Sequence, residues 1–362
     1  MALNLQMEIG PELASLQARL EAWLDRLEAY RGATLADLSP VQGSGSANAT
    51  LTGRIVRKGG PAASERIVVR LPVAEHTPFL DKRLVRQAKI IGWVRSNSFV
   101  PVPELIGAED DPSVIGRPFM VMHHIGGDAA KDFPGYNIAG FLTIMTPAQR
   151  RELWQDAVAT LAALHRLDTS PIDFLDFPGS ATSRLPELLR HWQASLDWAR
   201  DDLDHRWFSR IFDWLDERRP LAAPQGLSWG DARIGNMLFA GGKCTAVLDW
   251  EMASLGGPLV DLAWWLLFDR IQDEDSGVAR LDGLGSRTET IDLWGRLTGH
   301  DSRSLPWFEV LAAFQLAITR AKAFALRKAR GLPVPDDGDP RSVVRLQRRI
   351  EILVDEYGGR NG

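Results

Sequence analysis

Gly226-Leu227-Ser228-Trp229-Gly230-Asp231-Ala232-Arg233-Ile234-Gly235-Asn236, followed by Ala246-Val247-Leu248-Asp249-Trp250-Glu251, decides the reading of this chain. A carboxylate, Asp231, and a carboxamide, Asn236, share a polar turn, and a second carboxylate, Asp249, ends an apolar strand. Phosphoryl transfer from a nucleotide uses those residue types: an Asp beside the acceptor hydroxyl, and an Asn and an Asp that hold Mg²⁺ against the phosphates. Magnesium takes a few hard oxygen ligands and fills its other positions with water and phosphate oxygens. Asn236–Phe239 and Thr245–Leu248 are short apolar runs separated by Ala240-Gly241-Gly242-Lys243-Cys244, and Gly-Gly between such runs predicts a hairpin turn. That hairpin makes Asn236 and Asp249 neighbours. Singly, Asp231 and Asn236 also read as self-capping turn residues and Asp249 as a helix N-cap; the ordered trio favours a shared site.

Composition sets the frame. A chain of 362 residues exceeds what one small core organises, so two lobes are expected. With 45% hydrophobic and 25% charged residues it reads as an ordinary globular protein. A net charge of -5 argues against a nucleic-acid partner, which calls for a basic stripe. The single cysteine, Cys244, suits a reducing cytoplasm and reads as a buried, inert thiol in the hairpin. The N-terminus shows no basic-then-apolar leader, and Trp264–Phe268 is far shorter than the about 20 apolar residues that cross a bilayer. A cytoplasmic protein without a membrane partner is expected, as a monomer or homodimer.

The quoted run resembles the aminoglycoside phosphotransferase family, which has a protein-kinase-like fold. Within it, the resemblance is to the branch related to choline kinases, homoserine kinases and the kinase-like domain attached to some acyl-CoA dehydrogenases. That branch reads His-Gly-Asp-x-x-x-x-Asn, an apolar hairpin, then Leu-Asp-Trp-Glu; here Trp229 stands in place of the His. Leu255-Gly256-Gly257-Pro258-Leu259-Val260-Asp261-Leu262-Ala263 is similar to the family's Gly-Asp-Pro-x-x-Asp-Leu-Ala, with Gly257 in place of the first Asp. The resemblance implies that Asp231 is the catalytic Asp, Asn236 and Asp249 are metal ligands, and Asp261 braces the catalytic loop. It implies an α+β, bilobal protein-kinase-like fold with a small N-terminal β-rich lobe over residues 1–122, a hinge over 123–127, and a larger, mainly helical C-terminal lobe over 128–362. It also implies ATP, with GTP as the alternative, and Mg²⁺.

In the first lobe, Leu13, Leu16, Leu20, Trp23, Leu24 and Leu27 recur at helical spacing and predict an amphipathic helix over 10–30. Gly43, Ser44, Gly45 and Ser46 form a turn near strand-like runs at 51–56 and 67–71; such a turn either merely connects strands or brings backbone N–H groups close to phosphates, and the downstream trio favours the second reading. Arg70 ends an apolar strand where a kinase-like fold keeps its phosphate-gripping cation, a task a guanidinium performs bidentately; the alternative is a solvated strand-end charge. Aligning Arg86-Gln87-Ala88-Lys89-Ile90-Ile91 with the family's Arg-Glu-Tyr-Arg-Val-Leu puts the uncharged Gln87 where the cation's Glu partner belongs, leaving Glu65 or Glu104 as substitutes. Pro118-Phe119-Met120-Val121-Met122-His123-His124-Ile125-Gly126-Gly127 resembles the family's strand running into the hinge, where Met122, His123, His124 and Ile125 would meet the purine through their backbone groups. Adjacent histidines on a strand point to opposite faces, which argues against a metal pair.

Beyond residue 128, apolar periodicity predicts helices at 148–166, 187–200, 206–218, 259–270, 306–329 and 341–356. The tryptophans between 192 and 265 read mostly as core, and His165 as a satisfied packing residue. Arg233 reads either as a charge for the transferring group or as a surface ion pair. Asp197, Asp201, Asp202 and Asp204 either form an acidic acceptor pocket or cover a solvated helix end. The expected activity is Mg²⁺- and ATP-dependent transfer of the γ-phosphoryl group to a hydroxyl of a small molecule, with Asp231 as catalytic base. The Trp229, Gln87 and Gly257 departures keep open a nucleotide-binding, pseudokinase-like module without transfer.

Overall fold

A short apolar helix, α1 (Leu13–Leu24), opens the structure, a computed structural model describing residues 12–41, 48–57, 64–72, 77–81, 83–175, 177 and 184–361. Its buried Leu16, Leu20, Trp23 and Leu24 form the stripe that helical periodicity requires. The helix stops earlier than the predicted 10–30 span: Glu28–Tyr30 is a separate 3₁₀ turn, and the Asp25 carboxylate accepts from the Gly32 amide at 2.7 Å, closing the bend.

The chain divides into two units, residues 1–93 with 103–125 and residues 94–102 with 126–362. The first is an antiparallel sheet of β1 (Thr34–Pro40), β2 (Asn48–Val56) and β3 (Ser64–Pro72), then, after α2 (Leu84–Asn97), β4 (Leu105–Glu109) and β5 (Phe119–His123). The strand order is β1-β2-β3-β5-β4. Ile67, Val69 and Leu71 of β3 are buried, while Arg66, Val68 and Arg70 alternate to the other face, as a period of two demands. Packed against α1, Leu35, Leu51, Ile55, Val69, Phe119 and Val121 form the core of this unit. Burial of each such side chain contributes about 1.5–3 kcal/mol before entropy is counted. Trp23 meets Phe119 edge-on, with centroids 4.9 Å apart.

The second unit carries a small sheet, β6 (Asp128–Ala129) with β7 (Met237–Ala240) and β8 (Lys243–Val247), among helices α3 (Phe141–Ile144), α4 (Pro147–His165), α5 (Leu185–Trp198), α6 (His205–Glu217), α7 (Pro258–Gln272), α8 (Arg287–Thr298), α9 (Leu305–Lys328) and α10 (Val343–Asn361). Helices predicted from periodicity stand within a few residues of their expected spans, α10 running further toward the C-terminus. Helix α8 was not among them. Only Thr290 and Trp294 of α8 are buried, so its apolar stripe is faint. Helices α7 and α9 are buried on nearly every side and form the spine of this unit. Trp192, Trp229, Trp250, Trp264 and Trp265 are buried, whereas Trp198, Trp207 and Trp214 are half-buried. Among the described residues no helix is long and apolar enough to cross a membrane.

Candidate active site

Strands β7 and β8 are joined by Gly241-Gly242 with φ of 57° and 77°, the paired positive values of a two-residue hairpin turn that side chains with a Cβ seldom adopt. The hairpin continues past its strands: the Leu248 amide donates to the Asn236 carbonyl at 2.9 Å. Asn236 and the residue before Asp249 are thereby tied by a backbone bond, the convergence that the sequence predicted. Asp249 has φ of 56° and no helix follows it until Pro258, so the N-cap alternative does not hold.

The polar turn before the hairpin is held from below by Asp261 of α7, which is fully buried. One carboxylate oxygen accepts from the Ser228 hydroxyl (2.9 Å) and the Gly230 amide (2.7 Å); the other accepts from the Trp229 amide (2.6 Å). His165 Nε2 lies 2.9 Å from that second oxygen, and the Trp294 indole donates to His165 Nδ1 at 2.8 Å. Indole nitrogen only donates, so Nδ1 is the acceptor and the ring proton sits on Nε2, facing Asp261. Four donors thus converge on one carboxylate, and three of them fix the backbone or side chains just before Asp231. His165 is the buried, satisfied residue that the sequence suggested.

Asp231 stands at the head of this braced turn. Its Oδ1 accepts from Arg233 Nε at 2.9 Å and from the Trp264 indole at 2.7 Å, while Oδ2 accepts from Asn236 Nδ2 at 2.6 Å. The Asn236 amide also donates to the Asp231 carbonyl at 3.0 Å. With its nitrogen turned toward Asp231, Asn236 keeps its Oδ1 as a hard-oxygen donor that accepts no hydrogen bond among the described residues. Arg233 pairs with both Asp231 and Asp132 and stacks its guanidinium 5.0 Å from the Phe268 ring centroid. Burial opposes its charge, but Asp231, Asp132 and Asp249 outweigh burial and raise its pKa above the ordinary arginine value. It is no surface ion pair: its side chain is only 16% exposed.

Trp229 supplies what its departure from the family pattern put in question. The fully buried indole donates to the Leu248 carbonyl at 2.7 Å and packs on Trp250, so the polar turn and the strand that delivers Asp249 remain locked together. Substituting Trp229→Phe keeps the packing and orphans that carbonyl, which should lower stability by about 1–3 kcal/mol in thermal or denaturant unfolding. A loss below about 0.5 kcal/mol would show the indole donor to be dispensable. Gly257 also has a local cause. Its φ is 100°, and a Cβ there would sit 2.4 Å from the Pro224 carbonyl oxygen, so an Asp has no room.

The remaining predicted residues belong to the first unit. Gly43, Ser44, Gly45 and Ser46 lie outside the described residues. Arg70 is half-buried on β3, in register with Thr50 and Met120. Gln87 is buried, and its Oε1 has no hydrogen-bond partner among the described residues. Glu65 pairs with Arg57 at 2.7 Å, so it is already engaged. In the hinge segment, the His123 and His124 amides donate to the Glu104 and Arg66 carbonyls (2.8 and 2.9 Å). Burial and then Arg66 lower the pKa of His124, while His123 stands 3.4 Å from the Tyr30 hydroxyl. Three of the four acids before α6 are committed as well: Asp197 meets His205 (3.0 Å), Asp202 meets Lys322 (3.0 Å) and Asp204 caps α6 at the Trp207 amide (3.1 Å), while Asp201 is exposed. Cys244 is half-buried, and desolvation followed by Asp156 pushes its thiol up to about 12, consistent with inertness.

Sequence reasoning missed Asp132 and Trp264 as partners of the site. Asp132 is a single acid in an irregular stretch, and Trp264 is one more aromatic on an apolar helix. Only the spacing of Asp261, Trp264 and Phe268 at i, i+3 and i+7, on one face of α7, hinted that this face looks onto the polar turn.

A family model described as the phosphotransferase enzyme family matches residues 53–300. Acyl-CoA dehydrogenase family member 11 of Homo sapiens is 30% identical over 230 residues, which cover 60% of this chain and 28% of the relative. This chain spans well under half the length of the curated relatives it matches. A solved Ralstonia eutropha protein, assigned as an aminoglycoside phosphotransferase, is 22% identical with a TM-score of 0.68, covering 93% of this chain and 98% of that one. A mutant of the aminoglycoside phosphotransferase APH(4)-Ia, in a ternary complex with ADP and hygromycin B, is 15% identical with a TM-score of 0.51, covering 93% of this chain and 98% of that one. These likenesses show the fold to be the expected α+β, protein-kinase-like one.

Proposed function

We propose, because this chain belongs to the phosphotransferase enzyme family, that it moves the γ-phosphoryl group of ATP, with GTP as the alternative donor, onto a hydroxyl of a small molecule. The observation that carries this reading is the tethering of Asp231, Asn236 and the strand end bearing Asp249 around one braced turn. The ADP held by the mutant APH(4)-Ia supports an adenine nucleotide as donor. In this reading residues 1–122 hold the nucleotide, 123–127 form the hinge, and 128–362 provide the catalytic loop and acceptor site, within a cytoplasmic protein.

Among the described residues, Asp231 Oδ1 accepts two donors, whereas Oδ2 accepts one, Asn236 Nδ2. The acceptor hydroxyl therefore donates to Oδ2, which retains a lone pair. As the hydroxyl oxygen bonds to the γ-phosphorus, the bridging P–O bond breaks, its electrons leave with ADP, and the hydroxyl proton passes to Asp231. Positioning and charge neutralisation contribute most in such transfers. Arg233, held charged by Asp231 and Asp132, offers a fixed cation to the transferring group. Asn236 and Asp249 would hold Mg²⁺, which neutralises phosphate charge when bound; two protein oxygens suit an ion that keeps water and phosphate as its other ligands. In the first unit, Arg70 would grip the phosphates, Gly43–Ser46 would cover them, and the Ile125 amide would serve the purine.

The acceptor's charge is constrained. Burial and then Arg341 lower the pKa of Arg320 to about 10, and Asp132 and Arg233 both act on it electrostatically. With Asp197, Asp202 and Asp204 committed to partners of their own, the acidic group before α6 offers little to a polycationic antibiotic, which favours a hydroxylated metabolite as acceptor.

Asp249→Asn keeps the positive-φ backbone and removes one charge. It should weaken ATP binding about tenfold when Mg²⁺ is present and leave Mg²⁺-free binding unchanged, as read by calorimetry. Equal affinities with Mg²⁺ would exclude Asp249 as a ligand. A screen of hydroxylated metabolites with ATP separates the enzyme from the pseudokinase-like alternative: a pure binder is stabilised by ATP and yields neither ADP nor phosphorylated product.

A further inference from the structure

Helices α9 and α10 pack side by side, and residues 329–342 join the end of one to the start of the other. The joined ends are rich in cations: Arg327, Lys328 and Arg330 stand at the close of α9, and Arg341, Arg345 and Arg348 at the start of α10. Between residues 327 and 348 these six cations are set against three carboxylates, Asp336, Asp337 and Asp339, in a chain whose net charge is -5. Cations in the last turn of α9 suit the helix dipole, but cations at the start of α10, whose first turn holds no acid, oppose it. Helix stability therefore does not account for Arg345 and Arg348.

A surplus of positive charge remains after the local pairs are formed. Asp339 pairs with Arg341 (2.5 Å), and the Asp336 carboxylate is turned onto the Gly338 and Asp339 amides (2.9 and 3.0 Å). Acids on neighbouring segments have cations of their own, Asp202 with Lys322 (3.0 Å) and Asp132 with Arg233. Arg327 donates to the Pro333 carbonyl (2.7 Å) and Arg345 to the Gly338 carbonyl (3.3 Å), contacts that fix both side chains without cancelling their charge. Lys328, Arg330 and Arg348 have neither an ion pair nor a hydrogen bond among the described residues. Lys328, Arg345 and Arg348 are exposed, and so is the apolar Val334 midway along the joining segment. On α10, Arg345, Arg348 and Ile352 fall at i, i+3 and i+7 on the exposed side, while Leu346, Ile350 and Leu353 are buried; its first acid is Glu351.

We propose that this end of the α9–α10 pair docks on an anionic phospholipid surface, with its cations among the headgroups and Val334 against the interface. Exposed cations spread over two helix ends enclose no single small anion, whereas a leaflet supplies mobile headgroups to each of them. No aromatic residue occurs between 327 and 348, so the patch has no platform on which nucleic-acid bases could stack. Peripheral docking of this kind needs no spanning helix, and the lack of a spanning segment was the ground for expecting no membrane partner. The patch is connected to the catalytic turn: Arg341 lies over the Phe133 ring at 4.6 Å, and Phe133 follows Asp132, the partner of Arg233.

The full chain is sedimented with vesicles of phosphatidylcholine alone and with vesicles in which phosphatidylserine replaces a third of it. Binding at least about tenfold tighter to the anionic vesicles is expected, and it should fall as salt is raised. Lys328→Gln combined with Arg330→Gln removes two unpaired cations at no cost in helix propensity, and should weaken binding to the anionic vesicles at least about tenfold while the melting temperature holds. Absence of vesicle binding, or equal binding to the two compositions, overturns the proposal. So does unchanged affinity in the double variant, or tighter binding to single-stranded polyuridylate than to the anionic vesicles at the same salt. Should the double variant fail to fold, the comparison of the two compositions on the unaltered chain decides. Vesicle binding is read without nucleotide, so it stands or falls apart from the phosphotransferase reading.

Discussion

Replacing Asp231 with asparagine should lower phosphoryl transfer by about 10²–10⁴-fold, the range for removal of a positioned general base. The variant should also lose stability, by about 1–2 kcal/mol, because the site is not a free carboxylate waiting for substrate. Three donors converge on it: Arg233 Nε, the Trp264 indole and Asn236 Nδ2. An asparagine oxygen can satisfy the first two, but its NH₂ then confronts the Asn236 NH₂, and Arg233 retains Asp132 as its direct ion-pair partner with Asp249 acting from further away. The two readouts separate cleanly. Turnover is measured as ADP formed with a hydroxylated acceptor from the screen, and stability by denaturant unfolding. Near-native turnover would refute the base, whereas a stability loss with intact turnover would make Asp231 merely a strut.

Asp261→Ala should produce the largest structural loss in the molecule, about 3–5 kcal/mol, and a melting temperature lower by about 10 °C. Truncation leaves the Ser228 hydroxyl, the Trp229 and Gly230 amides and His165 Nε2 without their common acceptor in a water-free pocket. Each orphaned buried donor costs about 1–3 kcal/mol before relaxation. The turn carrying Asp231 then loses its anchor, so turnover falls with stability. A loss below about 1 kcal/mol would mean that the Ser228–Ser254 backbone pairing holds the turn by itself.

How much of this was written in the sequence varied with distance along the chain. The Gly241-Gly242 hairpin joins neighbours, so its geometry and the meeting of Asn236 with the Asp249 strand end were legible from a dozen residues. Asp261 was legible through family resemblance alone, because its four partners lie on two segments distant from it in sequence, Ser228–Gly230 and the end of α4. Asp132 and Arg233 meet across a separation of 101 positions, and no local pattern encodes that contact. Strand β1 escaped notice because Thr34-Leu35-Ala36-Asp37-Leu38-Ser39-Pro40 breaks its alternation at a register shift, where Asp37 takes φ of 55° and pairs with Arg54. Helix α8 did carry a signal: Ser286 and Glu289 form a reciprocal capping box, a start mark independent of apolar periodicity. The hinge amides could not be read either, since their use depends on which strand lies alongside.

The positive φ of Asp249 has a consequence for lineage as well as for chemistry. Backbone in that region admits glycine, asparagine and aspartate readily and penalises branched or bulky side chains. Glutamate would keep the charge yet fit the conformation poorly, so the acid is not interchangeable here. Drift away from catalysis is instead channelled toward Asn or Gly, which surrender the negative charge while preserving the bend. A descendant that has become a silent scaffold would therefore carry one of those two letters at this position, a signature readable without any assay.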